Sequence, residues 1–192
     1  MKVCLIRHSI TKGNLKKRYL GTTDEELCQE GIDLLEEKKD EFAKKDVSIV
    51  FSSPMKRCLQ TAKTLFPKHE IIVIPELSEC DFGIFENKNY EELSDCPEYQ
   101  NWIDSNGKDP FPGGESIEDF FERSRRGFEK GLNICKERNL ESAAFVAHGG
   151  TIMGLMSQSA ESGEDPYNYV VKNAGGYEFT FEDGKMTDIH ML

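Results

Sequence analysis

The chain has 192 residues, and its 35 acidic side chains outnumber its 24 basic ones, which gives a formal net charge of −11. Hydrophobic residues make up 38% of the sequence, which is enough for a buried core and excludes a disordered acidic chain. The acidic balance argues against a nucleic-acid partner and a membrane-surface partner, because both require a positively charged face. We therefore expect a single domain over residues 1–192.

The charge is unevenly distributed along the chain. Residues 24–192 carry 18 basic and 35 acidic residues, whereas residues 1–23 contain no acidic residue. A short basic run is usually a solvated loop, but it also marks where an anionic ligand would be attracted. The six basic residues of this segment are Lys2, Arg7, Lys12, Lys16, Lys17 and Arg18.

The first part of the chain alternates short apolar runs with amphipathic helical patterns. Strands are predicted over 3–6, 47–51 and 71–74, and helices over 30–45 and 54–66. Ser53 and Pro54 are predicted to be the N-cap and first residue of the second helix. This alternation favours the α/β class, as a three-layer α/β/α sandwich with a mostly parallel central sheet.

The alternation stops between about residues 85 and 139. Two helical patterns flank a turn-rich stretch at 106–114, and Ser116 and Asp119 have capping spacing at the start of the second. We predict that this segment is a helical, cap-like insertion over the strand ends. A strand over 143–147 and another helix follow, and the tail is predicted to be a hairpin around Asp183-Gly184.

The six cysteines are scattered, with no CxxC pair and no cluster beside a histidine. Neither a zinc site nor a disulfide framework is therefore predicted. The sequence also contains no secretory signal and no apolar run near the ~20 residues of a membrane span. We expect a cytoplasmic protein that uses no metal and no cofactor, and the sequence leaves open whether it forms a homodimer.

Four predicted strand ends lead to chemically active side chains. Arg7 and His8 follow the first strand, Arg57 follows the second, Glu79 the third and His148 the last. Each residue alone has an ordinary interpretation, such as a hydrogen-bonded structural histidine or a solvated glutamate. The carboxyl ends of parallel strands, however, meet at one edge of a sheet, where ligands bind in open α/β folds. Together these residues predict one site.

Two arginines, two histidines and one carboxylic acid suit phosphoryl transfer. Arginine forms bidentate hydrogen bonds to phosphate oxygens, and a neutral imidazole is a nucleophile near pH 7. A carboxylic acid can protonate the departing alkoxide. Arg7, Arg57 and a protonated His148 would neutralise the phosphoryl oxygens without a metal ion.

Four segments, in order over about residues 3–155, resemble the motifs of the histidine phosphatase superfamily, also called phosphoglycerate-mutase-like. The resemblance implies that His8 is the phosphoryl-accepting nucleophile and Glu79 the proton donor. It also implies that Arg7, Arg57 and His148 surround the phosphate, and that further substrate contacts come from Thr11, Asn14 and Gly149. The matching segments are Arg7-His8 with Thr11 and Asn14, residues 52–62, Glu79 with Phe82-Gly83, and residues 146–150.

The sequence departs from the family pattern at two points. Ser9 stands where the family usually has glycine, and a serine would be strained there if the backbone required a positive φ. Glu86-Asn87 stands where an acidic residue and a glycine usually follow the Phe-Gly, which affects a loop at the rim. The run at 111–116, Phe-Pro-Gly-Gly-Glu-Ser, resembles the α-ribazole phosphatase branch, and its Glu115-Ser116 is either a helix start or a substrate contact.

Three classes of function follow from this resemblance. The first is a phosphatase for a small phosphorylated metabolite, with α-ribazole 5′-phosphate of cobalamin biosynthesis as the best candidate and a broad-specificity phosphatase as an alternative. The second is a phosphoglycerate mutase, which would depend on a bisphosphorylated primer. The third is a catalytically silent binding module, which would be expected to lack at least one of the five core residues, and none is lacking.

Overall fold

The computed structural model describes residues 1–159 and 165–192, and its centre is a six-stranded sheet in the order β3-β2-β4-β1-β5-β6. Strands β1 to β4 run parallel to one another, and β5 and β6 form an antiparallel hairpin whose strand β5 pairs antiparallel with β1. The predicted, mostly parallel sheet is confirmed. The strands are β1 (Lys2–Arg7), β2 (Ile49–Ser52), β3 (Ile71–Val73), β4 (Ser142–Ala147), β5 (Gly176–Glu182) and β6 (Lys185–Met191).

Helices cover both faces of the sheet, as predicted. Helices α2 and α3 pack on one face, and α5 and α6 on the other. Short 3₁₀ turns lie at Pro75–Leu77, Gly83–Phe85 and Pro166–Tyr169. The α-helices are α1 (Lys12–Leu15), α2 (Gln29–Phe42), α3 (Lys56–Leu65), α4 (Pro97–Asp104), α5 (Ile117–Glu137) and α6 (Gly149–Ser159). No helix within the described ranges is long and apolar enough to span a bilayer.

Alternate side chains of each central strand enter opposite cores. Leu5 and Phe145 pack with α5 and α6, whereas Ile6 and Val146 pack with α2 and α3. Successive residues of a strand point to opposite faces, so a strand covered on both sides becomes apolar throughout. All six residues of β4 are accordingly buried, which explains the continuous apolar run in the sequence.

The segment predicted as an insertion divides into two parts. Phe128 and Cys135, in the second half of α5, pack against the sheet, so this half belongs to a helical layer of the sandwich. The first part encloses a separate cluster around α4, against which Tyr19 also packs. The buried residues of this cluster are Cys80, Phe85, Leu93, Tyr99, Phe111 and Phe120.

Two predicted local structures are confirmed and one is wrong. Ser116 caps α5 by accepting a hydrogen bond from the Asp119 amide at 3.0 Å. Asp183 and Gly184 have φ values of 49° and 80°, as a two-residue hairpin turn requires. Ser53, however, is not a helix cap, because α3 begins at Lys56 and the Ser53 hydroxyl is buried against His148.

Candidate active site

A cavity of about 230 Å³ lies at the carboxyl ends of the parallel strands. Arg7 and His8 enter it from the end of β1, Glu79 from the segment after β3, and Gly149 and Gly150 from the start of α6. The short parallel strands end at one edge, so residues far apart in the chain meet there. The structure thus brings most of the predicted site residues into one cavity.

His8 is a neutral imidazole, and one of its ring nitrogens is hydrogen-bonded to the backbone. Its Nδ1 lies 2.6 Å from the Ser9 carbonyl oxygen, so this nitrogen carries the proton and donates it. Burial chiefly, and then the charges of Arg57 and Arg7, lower the pKa of His8 well below its ordinary value. Its Nε2 therefore keeps a lone pair at neutral pH, which is what a nucleophile needs.

Ser9 fits beside the nucleophile without backbone strain. Its φ lies outside the left-handed region, so the serine meets no penalty there. Its amide donates to the Thr61 hydroxyl at 3.0 Å, and its own hydroxyl donates to the Gly31 carbonyl at 2.7 Å. The departure from the family's glycine thus adds a buried hydrogen bond to α2.

Asn14 lines the cavity, whereas Thr11 is fully buried behind it. The Thr11 hydroxyl accepts from the Asn14 amide at 3.2 Å, and the Thr11 amide donates to Asn14 Oδ1 at 3.1 Å, which is a capping box. Asn173 also donates to Asn14 Oδ1, at 3.2 Å. Because Asn14 Oδ1 accepts both of these hydrogen bonds, the Asn14 group left to donate to a ligand is Nδ2, and Thr11 positions this side chain.

Arg7 presents an unsatisfied donor beside the cavity. Its Nη1 donates to the Val171 carbonyl at 2.8 Å, but its buried Nε has no hydrogen-bond partner among the described residues. A buried N–H without a partner is costly, and an anion would satisfy it. The N-terminus of α6, at Gly149, adds its positive dipole end to the same cavity. This end of the cavity fits a phosphate.

Arg57 is fully buried and lies outside the cavity wall. Its guanidinium donates to the carbonyls of Leu20 and Gly21 at 3.1 Å each and of Thr23 at 2.7 Å. Its Nε donates to Nδ1 of His148 at 3.3 Å. Four of its five N–H groups therefore hold the 20–23 loop and His148. At most one N–H group of Arg57 is therefore left for the direct contact with phosphate that the sequence predicted.

His148 is neutral in this arrangement, which corrects the protonated form predicted from the sequence. Its Nδ1 accepts from Arg57, so Nε2 carries the proton and donates to the Ser53 hydroxyl at 2.7 Å. Burial, followed by the charge of Arg57, lowers the pKa of His148 well below its ordinary value. The sequence missed the role of Ser53 because a Ser-Pro pair before a helix is typical of a cap.

Glu79 has the surroundings of a proton donor. Its Oε1 accepts from the Cys80 amide at 3.0 Å, and its Oε2 accepts from the Gly150 amide at 3.1 Å. Burial raises the pKa of Glu79, although both amides and the charges of Arg57 and Arg7 oppose the rise. The carboxyl therefore keeps its proton to a higher pH than a free glutamate does, as a general acid requires.

Gly150 has no room for a side chain, and this predicts a selective defect in Gly150→Ala. A Cβ at Gly150 would lie 2.6 Å from Glu79 Oε1, whereas a Cβ at Gly149 meets nothing closer than 3.5 Å. We expect Gly150→Ala to displace the Glu79 carboxyl and to lower kcat for an alkyl phosphate by about 10²-fold. Gly149→Ala is the steric comparison, and equal losses in the two variants would contradict the prediction.

Glu86 fixes the rim loop that holds Arg57. One of its carboxylate oxygens accepts from the amides of Gly21 and Thr22 at 2.9 and 2.8 Å, and the other accepts from the Thr23 hydroxyl at 2.8 Å. Asn87 has a φ of 56°, in the left-handed region that asparagine tolerates. The substitution at 86–87 is therefore compatible with an ordered rim. This role could not be identified from the sequence, because Glu86 is one of 35 acidic residues.

The cavity also has an apolar wall. Arg18 stands at its rim, where it pairs with Glu92 at 2.6 Å and also donates to the Asn87 carbonyl. A bound phosphoester would thus place its phosphate at the polar end and its leaving group against the apolar wall. This wall consists of Tyr19, Leu20, Phe82, Met153, Val170 and Val171.

Comparisons with known proteins agree with this site. The sequence matches the histidine phosphatase superfamily (branch 1) over residues 3–190, which is longer than the motif-bearing region. A protein of Hydrogenobacter thermophilus, provisionally named phosphoserine phosphatase 2, is 30% identical over 195 residues. That alignment covers 99% of this chain and 94% of the relative.

Two crystal structures extend the comparison to the fold. The phosphoserine phosphatase of Entamoeba histolytica, as a histidine-to-alanine variant with phosphoserine bound, is 27% identical with a TM-score of 0.78, covering 98% of this chain and 95% of that one. The α-ribazole phosphatase of Shigella flexneri is 22% identical with a TM-score of 0.84, covering 97% and 94%, and shows the shared fold. Because the family match extends over nearly the whole chain, this protein belongs to the histidine phosphatase superfamily, branch 1, and is a phosphatase.

Proposed function

We propose that the protein hydrolyses small phosphomonoesters through a phosphohistidine at His8, without a metal ion. The observation that carries this proposal is the orientation of the His8 ring. The Nδ1–H bond to the Ser9 carbonyl fixes the tautomer, so that the nucleophilic nitrogen is Nε2. The same cavity is lined by Glu79 and by Arg7, whose buried Nε has no hydrogen-bond partner in the described part of the chain.

The first step transfers the phosphoryl group to the enzyme. His8 Nε2 attacks phosphorus, the ester P–O bond breaks, and protonated Glu79 gives its proton to the departing alkoxide. Arg7, Asn14 and the N-terminus of α6 stabilise the negative charge on the phosphoryl oxygens. His148, neutral and held by Arg57, supports the wall behind His8, since the two imidazole centroids are 5.2 Å apart.

The second step returns the enzyme to its starting state. A water molecule attacks phosphorus, the P–N bond to His8 breaks, and the Glu79 carboxylate takes the proton of the water. Inorganic phosphate leaves, and Glu79 is again protonated. Each group ends in the form in which it began, so the cycle needs no cofactor.

The size of the cavity favours a compact substrate. Its volume of about 230 Å³ is below the ~300–1,000 Å³ of sites for drug-sized ligands. The Hydrogenobacter relative and the Entamoeba structure both carry phosphoserine in their names. Phosphoserine is therefore the proposed substrate ahead of the α-ribazole 5′-phosphate suggested by the sequence. The apolar wall with Tyr19 and Phe82 supports the latter as the second candidate, because it could accept an aromatic base.

A hydrolysis panel tests these proposals together. We expect phosphoserine to have a higher kcat/KM than α-ribazole 5′-phosphate, and EDTA to leave both rates unchanged because arginine side chains and a helix N-terminus supply the positive charge. The panel includes 3-phosphoglycerate with and without 2,3-bisphosphoglycerate. Primer-dependent isomerisation without phosphate release would identify a mutase, inhibition by EDTA would overturn the metal-independent mechanism, and binding without any turnover would identify a silent module.

A further inference from the structure

Arg123, on α5, holds the backbone that carries Glu79. Its Nη1 donates to the carbonyls of Glu76 and Ser78, each at 2.9 Å, and its Nη2 donates to the carbonyl of Glu79 at 3.2 Å. Arg123 does not line the cavity. One guanidinium therefore spans the segment that ends at the proposed proton donor.

The other side of the same segment is held by Glu115. Arg123 makes a bidentate pair with Glu115, through Nε at 2.8 Å and Nη2 at 2.7 Å. Glu115 in turn bonds Asp81, because its amide donates to the Asp81 carbonyl at 2.9 Å and its carboxylate accepts from the Asp81 amide at 3.3 Å. Residues 76–81 are thus fixed both before and after Glu79.

The arrangement accounts for the glycine-rich run at 111–116. A Cβ at Gly114 would lie 2.3 Å from the Asp81 carbonyl oxygen, so the run can pack against this backbone only without a side chain there. Ser116 caps α5, and Glu115 faces Arg123 rather than the cavity. The sequence left open whether Glu115-Ser116 is a helix start or a substrate contact. These contacts support the helix start.

We propose that Arg123 is a positioning residue for Glu79, and that its pair with Glu115 sets where the carboxyl lies relative to the leaving-group oxygen. This inference rests on the proposed function, in which Glu79 is the proton donor. All five N–H groups of Arg123 are engaged within the described residues. Lysine has the charge but not the planar fork, so it cannot span the same carbonyls and the carboxylate together.

The test compares two substrates in Arg123→Lys. We expect kcat for an alkyl phosphate to fall about 10-fold or more, because proton transfer depends on the position of the carboxyl, while KM is unchanged. With p-nitrophenyl phosphate, whose leaving group needs no proton, kcat/KM should stay within about twofold, because kcat/KM reports only the transfer to His8 and not the later hydrolysis. Arg125→Lys, on the same helix in an exposed pair with Glu122, is the matched control and should alter neither rate.

Each outcome distinguishes the inference from the function on which it rests. Equal losses on both substrates in Arg123→Lys would mean a merely structural role and would overturn the inference. If Glu79→Gln also lost both activities equally, the proposed proton donor would itself be wrong. Should Arg123→Lys fail to fold, Glu115→Gln, which keeps the three carbonyl bonds, must show the selective loss, and a Glu115→Gln enzyme without it would refute the inference.

Discussion

Replacing His8 with alanine is expected to abolish turnover on every phosphomonoester. In the proposed mechanism the imidazole forms the covalent intermediate, so its removal takes away the group to which phosphorus is transferred. The loss in kcat should be on the order of 10⁴- to 10⁶-fold, as for other enzymes that lose their nucleophile. The measurement is single-turnover kinetics, together with detection of an acid-labile, base-stable phosphate on the wild-type protein that is missing from the variant.

An exposed histidine provides the control for this prediction. His190 lies on the edge strand β6 with its exposed ring near Asp188, and it does not line the cavity. His190→Ala should keep both the label and the rate. Circular dichroism should show that His8→Ala is folded, and hydrolysis retained by the folded variant would refute the phosphohistidine mechanism.

Glu79→Gln is expected to lower the activity on different substrates to different extents, depending on their leaving groups. For alkyl phosphates such as phosphoserine, the loss of the proton donor should lower kcat/KM, which reports only the first step, by about 10²- to 10⁴-fold. For p-nitrophenyl phosphate kcat/KM should fall far less, since its phenolate leaves without protonation. The quantity to compare is the ratio of the two rates in wild type and variant, and an unchanged ratio would count against Glu79 as the acid.

The pH dependence gives Glu79 a second signature. Its pKa is raised by burial, so the protonated form required for the first step is lost at a pH above the ordinary carboxyl range. We expect an alkaline limb in the wild-type rate on alkyl phosphates that is absent from Glu79→Gln acting on p-nitrophenyl phosphate. The same raised pKa stabilises the fold below the unfolded carboxyl pKa, and this contribution is lost as pH rises through the folded value.

The fold and the centre of the site could be predicted because their signals are local. Apolar runs such as 143–147 mark strands buried on both faces, and the polar residue directly after each run reaches the edge where ligands bind. His8 and His148 can be assigned in this way, because each directly follows its strand. A residue that follows a strand needs no long-range information to be assigned to that edge.

The supporting contacts could not be predicted, because their partners are distant and often backbone groups. Asn173 orients Asn14 from 159 positions away, and no residue pattern around 173 indicates it. Arg57 was expected to face phosphate, but carbonyls of the 20–23 loop surround it, and a carbonyl has no residue-type signature. Thr11 and Asn14 do show capping spacing, yet a four-residue helix has no periodicity that would reveal α1.

The 20–23 loop lies between two opposite charges, and it forms hydrogen bonds to both of them. Its amides point to Glu86 and its carbonyls to Arg57, so its peptide dipoles are aligned between an anion and a cation. Moving the loop outward would expose the fully buried Arg57 guanidinium to solvent or leave it buried without its partners. An unpaired buried charge costs several kcal/mol. The wall that Leu20 gives to the cavity is thus held electrostatically before any substrate arrives, and we expect selection among phosphoesters to depend on fit to this preformed shape.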